Sequence, residues 1–516
     1  VKPFNVSRPR RPDGGPPPVA VIDIGSNSGR VLVYRQEPGG HLHVLAGRRA
    51  PLRLVRDVDR TGKIPAESLE RAFEALRDFR SIARGSGVRR ITVAGTAALR
   101  DAANGPAFVR RVRRELGLTI RTLSGLEEAR YGFLGAVGGL PVDHGALFDL
   151  GGGSLQVGRF RDRKLLGAVS VPLGALRVSD RFLRSDPPSP RELRRLREHA
   201  LEVLDAAGLK PLGPDEQLVG TGGTVRNLAK IDQHASGYPI PRLHGYVLDR
   251  RRVHDIVAGL AGERMKKRAH VPGLNPDRRD SVVGGGLVVE SLLEALGADH
   301  VIVSGEGVRE GLARSLAREA LEPTEAVRRG SLEALASRFV GWSEERARRR
   351  EAIAAALHEA LDPGASGEAA EALLQAARIL DIGRTVDFFE RHEHVADLLL
   401  ATDLGGFSHR QVALLAAIVR QAGDEKARPR SFAPLVTRHD RATVERAAVL
   451  LTIADEITER CAPGSAPTVR CHLGRREATV TIPALASWGV RGLDERFEAA
   501  FGRRLKVVPG AKGVRT

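Results

Sequence analysis

The pattern that most restricts this chain occurs twice. Val19 to Ile24 is a continuous apolar run broken only by Asp23; the turn Gly25-Ser26-Asn27-Ser28-Gly29 follows, and Arg30 to Arg35 reads as a returning strand. Asp149 comes 126 residues after Asp23, at the end of a second short apolar run, Ala146 to Leu150, and Gly151-Gly152-Gly153-Ser154 leads into Leu155 to Phe160. Apolar runs of this length flanking a glycine turn are buried strands that reverse direction. Two copies of strand, Asp-x-Gly turn and strand predict a duplicated unit.

Between and after the copies, helical patterns alternate with strands. Helices are expected at Ala66 to Arg84, Gly105 to Leu116, Pro190 to Ala207, from Thr224, at Arg251 to Gly262 and at Arg279 to Leu296. Strands are expected at Arg90 to Gly95, Gln217 to Gly220 and Val301 to Ser304. Such alternation makes an α/β protein. Beyond Pro323 the character changes to helix after helix: Leu332, Leu335, Phe339 and Trp342 fall on one helical face, and an alternating stretch from Thr468 to Ile482 predicts a terminal hairpin. At 516 residues the chain exceeds one ordinary core. The expected division is a disordered Pro/Gly/Arg tail at 1–18, α/β domains at 19–142 and 143–320, and a helical region at 321–516.

Lys and Arg outnumber Asp and Glu by 81 to 63, a net +18. That balance suits an anionic partner, although only ten of the 81 are Lys, so a compositional bias toward Arg contributes to it. Aromatics at 4% disfavour nucleic acid held on stacking platforms. The two cysteines, Cys461 and Cys471, lack zinc-site spacing and fit a reducing compartment. With no run of 18 apolar residues and no apolar leader, the expectation is a cytoplasmic protein that does not engage membranes.

The turns carry the chemistry. Small residues at a strand-end turn let successive backbone N–H groups face a phosphate, and an Asp there can hold a divalent cation. A lone glycine turn is usually only a tight hairpin. Here there are two in equivalent places, plus a third, Gly220-Thr-Gly222-Gly223-Thr224, opening a helix, itself a phosphate-binding device.

The ordered blocks VIDIGSNSGR (21–30), GTAALRDAAN (95–104), SGLEEARYGFLG (124–135), FDLGGGSLQVG (148–158), GTGGTVRNLA (220–229), PGLNPDRRD (272–280) and VSGEGVREGL (303–312) closely resemble the exopolyphosphatase/guanosine pentaphosphate phosphohydrolase family, Ppx/GppA. The resemblance covers about 19–318. It implies two ribonuclease-H-like domains of the actin-like ATPase superfamily facing a cleft, and Mg²⁺-assisted removal of terminal phosphate from inorganic polyphosphate or of the 5′ γ-phosphate from pppGpp. By the same resemblance Asp149 holds Mg²⁺, with Asp23 on the facing loop and the side chain at Gln156 also at the metal. Ser26, Asn27 and Gly151, Gly152, Gly153 and Ser154 contact terminal phosphates, joined by Gly222, Gly223 and Thr224 of the third turn. Glu128 matches the glutamate that activates the attacking water, and Arg30 and Arg100 match basic positions on the phosphate chain. Hydrolysis of a phosphoanhydride needs those parts: charge neutralisation, an in-line water and a group to position it.

One departure bears on turnover. Where the family's second loop ends in Ser-x-Glu, this chain has Ser154-Leu155-Gln156, and glutamine carries no charge and accepts no proton. An active enzyme relying on Glu128, a slow enzyme, and a polyphosphate or (p)ppGpp sensor all stay open. An actin-like kinase or ATPase fits the Glu127-Glu128-Ala129-Arg130 and Arg309-Glu310-Gly311 segments poorly. The helical region resembles the family's HD-type third domain, but the expected His-Asp reads Leu380-Asp381, while His392, His394 and His409 keep the look of later segments. A working metal centre there is not expected; packing, homodimer formation and channel walls are. The leading reading is an exopolyphosphatase, because an appended domain and a basic surface suit a long polyanion.

Overall fold

The computed structural model describes residues 17–37, 41–54, 58–316, 320–365, 367–423, 429–465, 467–485 and 487–509. All but the last two residues of the expected tail lie outside them. Two units result, and they are not continuous in sequence.

The first unit, residues 1–138, 142–228 and 248–323, carries two sheets. In the first, β1 (Val19–Ile24), β2 (Ser28–Gln36), β3 (Leu42–Pro51), β4 (Ile91–Gly95) and β5 (Ile120–Thr122) lie in the order β3-β2-β1-β4-β5. The second contains β6 (Gly145–Leu150), β7 (Leu155–Arg161), β8 (Lys164–Val171), β9 (Gln217–Gly222), β10 (Tyr246–Asp249) and β11 (His300–Val303), in the order β10-β11-β9-β6-β7-β8. Both begin with three antiparallel strands, and on the far side of the first strand β4 and β5 in one sheet, and β9 and β11 in the other, run parallel. The duplication read from two short motifs is therefore a duplication of topology. It also makes residues equivalent: Arg30 faces Asp23 across β1 and β2, and Gln156 faces Asp149 across β6 and β7.

β1 and β6 are central strands with covering layers, so their residues are apolar almost throughout. Under the first sheet, the helix Ala66–Gly85 buries Phe73, Leu76 and Phe79 on one face. In the second, the helix expected from Arg279 begins at Val282, after a separate turn at Pro276–Arg278.

The closest helix crossing in this unit joins Gly125–Ala136 to Val308–Ser315. A Cβ at Gly135 would lie 1.9 Å from the Gly307 carbonyl oxygen, and one at Gly311 would lie 1.8 Å from that of Tyr131. Glycine at both positions is what lets the backbones approach. The first of these helices starts with a reciprocal cap, Ser124 Oγ accepting from Glu127 N at 3.2 Å and Glu127 Oε2 accepting from Ser124 N at 2.9 Å. Glu127 thus secures the helix end and leaves Glu128, one residue on, to face inward.

The second unit, residues 139–141, 229–247 and 324–516, is mainly helical, with Leu357, Ile418, Val449 and Leu451 fully buried in its core. The expected hairpin is present: β12 (Arg470–Leu473) runs antiparallel to β13 (Glu477–Ile482), and β14 (Arg504–Pro509) joins β13 in parallel. One expectation fails in part. The helix carrying Leu332 and Leu335 ends at Ala336, so Phe339 and Trp342 are not on it. They still pack against the same core, and Trp342 Nε1 donates to the Arg378 carbonyl at 2.9 Å. Periodicity identified the buried face but not where the helix stops. Among the described residues no helix is long and apolar enough to cross a membrane.

Candidate active site

The two Asp-x-Gly turns share one backbone device: Gly25 N donates to Ser28 O at 3.1 Å, and Gly151 N donates to Ser154 O at 3.0 Å. They face each other across a cavity. A Cβ on Gly152 would sit 3.3 Å from that of Ser26 and 3.6 Å from that of Asn27, which is contact distance. The Gly151 carbonyl accepts from Ala175 N at 2.9 Å and the Gly152 carbonyl from Leu176 N at 3.0 Å. Because a trans peptide aims its N–H opposite to its C=O, the N–H groups of Gly152 and Gly153 are turned away from the helix Ala175–Phe182. Among the described residues Asn27 Nδ2 is buried without a hydrogen-bond partner. The turns therefore present unused donors, as an anion site requires.

Asp23, Ser26, Asn27, Arg30, Glu128 and Asp149 line the cavity, as do Gly151 to Ser154, Gln156, Gly222 and Gly223. Two expected residues do not. Thr224 is 1% exposed and packs under the helix Val282–Ala295, where a Cβ at Gly285 would lie 2.5 Å from its Oγ1. Its hydroxyl is thus a packing contact. Arg100 reaches the site only through Glu128, forming an ion pair with that carboxylate while its Nη1 donates to the Leu123 carbonyl at 2.9 Å.

Three carboxylates meet here. Burial pushes Glu128 up to about 8 against the pull of Arg100, with Asp149 and Asp23 adding like-charge repulsion. Burial likewise pushes Asp149 up to about 6, opposed chiefly by Arg226. Asp23 is raised by burial in spite of Arg309, whose Nη1 lies 3.4 Å from Asp23 Oδ2. Burial sets the direction of all three shifts, in spite of the arginines beside them. Asp23, Asp149 and Gln156 line this cavity with the loop serines, and carboxylate, amide and hydroxyl oxygens are donor types that could hold Mg²⁺. Gln156 fits it least: its Nε2 donates to Ser154 Oγ at 2.8 Å and to Ser170 Oγ at 3.1 Å.

Three arginines of the cavity were not singled out from the sequence: Arg226, Arg278 and Arg309. Arg226 is fixed by the Ser304 carbonyl at 3.0 Å and Thr221 Oγ1 at 2.8 Å, and Arg309 by Asp23 and Glu310. Arg278 differs, for among the described residues neither its guanidinium nor that of Arg30 has a hydrogen-bonding or ion-pair partner. Burial and neighbouring arginines lower both to about 10. All three lay inside quoted blocks. The signal was present as an Arg within GTGGTVRNLA, PGLNPDRRD and VSGEGVREGL, but nothing local marked it as facing a cavity.

The Ppx/GppA phosphatase family model matches residues 32–320. The chain belongs to the Ppx/GppA phosphatase family. The model for domain III of Ppx/GppA phosphatases matches residues 327–484, so the helical region is the family's third domain. Exopolyphosphatase 1 of Mycobacterium leprae (strain TN) is 31% identical over 298 residues, 57% of this chain and 88% of that protein. Exopolyphosphatase 2 of Mycobacterium tuberculosis (strain ATCC 25618 / H37Rv) is 32% identical over 315 residues, 58% of this chain and 98% of that one. The crystal structure of the Aquifex aeolicus Ppx/GppA family member superposes with a TM-score of 0.51 at 28% identity, covering 58% of this chain and 97% of that one. An exopolyphosphatase from Cytophaga hutchinsonii shares the fold, with a TM-score of 0.53 at 23% identity over 59% of this chain and 99% of that one. These similarities support the duplicated actin-like, ribonuclease-H-like architecture with a helical third domain.

Proposed function

We propose that this Ppx/GppA protein is an exopolyphosphatase that releases terminal orthophosphate from inorganic polyphosphate. The observation that carries the reading is the pairing of Arg30 and Arg278, whose guanidinium groups have no partner among the described residues, with buried carboxylates and two opposed glycine turns in one cavity. Such a site takes an anion on one side and a cation on the other. Similarity to proteins named exopolyphosphatase favours the polymer over pppGpp, which is the alternative substrate.

In this account the terminal phosphoryl group lies between the turns, against Ser26, Asn27, Gly151 to Ser154, Gly222 and Gly223. Arg30 and Arg278 hold the next phosphates. Asp149 and Asp23 would hold Mg²⁺, which when bound neutralises charge on the transferred group. Glu128 orients the attacking water and accepts its proton as the phosphoanhydride bond breaks; Arg100 opposes the upward push of burial on that carboxylate and holds it in place. A second reading, a binding protein with little or no turnover, is favoured by one observation. The Gln156 amide is held by Ser154 and Ser170, so the position contributes no charge toward a metal. Phosphate release by purified protein with Mg²⁺ separates the two.

A further inference from the structure

The third domain has a carboxylate cluster of its own. Oxygens of Asp381, Asp455 and Glu459 lie within 4.8 Å of one another, a spacing able to hold one divalent ion. Asp381 is the aspartate of the expected His-Asp pair; its neighbour Leu380 is fully buried in the apolar core instead of offering an imidazole. The cluster is nevertheless filled. Arg350, fully buried, places Nη2 at 2.9 Å from both carboxylate oxygens of Asp381 and Nε at 2.8 Å from Asp455 Oδ1, while Nη1 donates to the Ala377 carbonyl at 3.0 Å. Arg346 Nε reaches Asp381 Oδ2 at 2.8 Å, Arg384 Nε reaches Asp381 Oδ1 at 2.6 Å and also pairs with Glu459, and Arg391 pairs with Asp455.

We infer that the Arg350 guanidinium occupies the cation position of this domain, making the cluster an internal ion-pair hub that takes no metal. Charge and geometry argue for it together. Four guanidinium groups already face three carboxylates, so a divalent ion would enter a site without negative charge to spare. It would also have to displace a buried cation that has nowhere to be solvated. A planar guanidinium can lie between two carboxylates as a metal does, here hydrogen-bonded to Asp381 and in ion-pair contact with Asp455, whose Oδ1 accepts no hydrogen bond from it. The surroundings agree: these arginines hold Asp381 and Asp455 below the usual carboxylate range.

Mn²⁺ binding to the intact protein, counted by the loss of the free-ion electron paramagnetic resonance signal, tests the inference. Wild type and Glu459→Gln are expected to bind the same number of Mn²⁺ ions with the same affinity, since any bound ion sits elsewhere. Arg350→Ala is expected to bind one more, and Mn²⁺ is expected to raise its Tm by more than it raises that of wild type. An equivalent of Mn²⁺ in wild type that weakens tenfold or more in Glu459→Gln would overturn the inference. So would a folded Arg350→Ala that gains no ion. If Arg350→Ala does not fold, the wild-type and Glu459→Gln comparison decides alone, because Glu459 is 32% exposed and its substitution is mild.

Discussion

Arg100 lies against Glu128: its guanidinium pairs with that carboxylate and is fixed from behind by the Leu123 carbonyl at 2.9 Å. The cation expected on the phosphate chain is thus bound to the residue proposed to handle the water. Glu128→Gln should lower kcat by about 10²–10⁴-fold with Tm little changed. Arg100→Gln should move the acid limb of the pH–rate profile upward, because removing a nearby positive charge disfavours the carboxylate. A raised KM with an unmoved profile would make Arg100 a chain ligand instead.

A pH dependence follows from Glu128 itself. It is pushed up to about 8 and must be ionised to accept a proton, so activity should rise with pH toward that value. A cation bound beside Asp149 and Asp23 opposes the repulsion that helps raise it. Increasing Mg²⁺ should therefore shift the acid limb to lower pH, as measured by kcat/KM at several Mg²⁺ concentrations. The folded protein also binds this proton more tightly than the unfolded chain, so between about pH 4.5 and 8 stability falls as pH rises. Thermal melts of wild type and Glu128→Gln without Mg²⁺ should diverge in that window, the variant being the flatter.

Gln156→Glu should strengthen Mg²⁺ binding about tenfold or more and raise the rate, since a charged hydrogen-bonding or ligand contact contributes roughly 1.5–3 kcal/mol. Ser154 and Ser170 can turn their hydroxyls to donate to the new carboxylate. Calorimetric Mg²⁺ titration of both proteins reads the difference.

The unpartnered arginines predict a separable effect. Arg278→Ala and Arg30→Ala should each raise KM for polyphosphate by roughly tenfold, with a smaller change in kcat. By analogy with counterion release from nucleic acids, each should lower the salt slope of binding by about one. Equal loss in kcat alone would place them at the reacting group.

Gly135 and Gly311 should tolerate no side chain. Alanine at either meets a carbonyl oxygen closer than 2 Å, a backbone contact that no rotamer relieves. A loss of more than about 3 kcal/mol by chemical denaturation is expected. Glu128 shares a helix with Gly135, so activity should fall with stability.

What was legible from the sequence was local. Asp23 and Asp149 could be read because strand, aspartate and glycine turn are adjacent, and repetition removed the ambiguity of each copy. The first sheet's outer strand β3 and the equivalent β8 were missed, for their residues are only half buried and lack a clean alternation. Thr224 was misplaced because a residue beside a glycine turn can face either the cavity or the core, and Gly285 on a distant helix decides which. Arg350 was out of reach for the same reason: its role arises only when chain segments around 350, 381 and 455 meet. That Leu380 stands where an imidazole was expected could be read from the sequence, but not that the Arg350 guanidinium lies among the carboxylates.

The central claim is tested most directly by phosphate release from long polyphosphate, short polyphosphate, pppGpp and ATP, measured side by side with and without Mg²⁺. The account predicts Mg²⁺-dependent orthophosphate release, fastest from long polyphosphate and abolished in Glu128→Gln. Tight polyphosphate binding with no release from any of the four, or faster release from pppGpp than from the polymer, would contradict it.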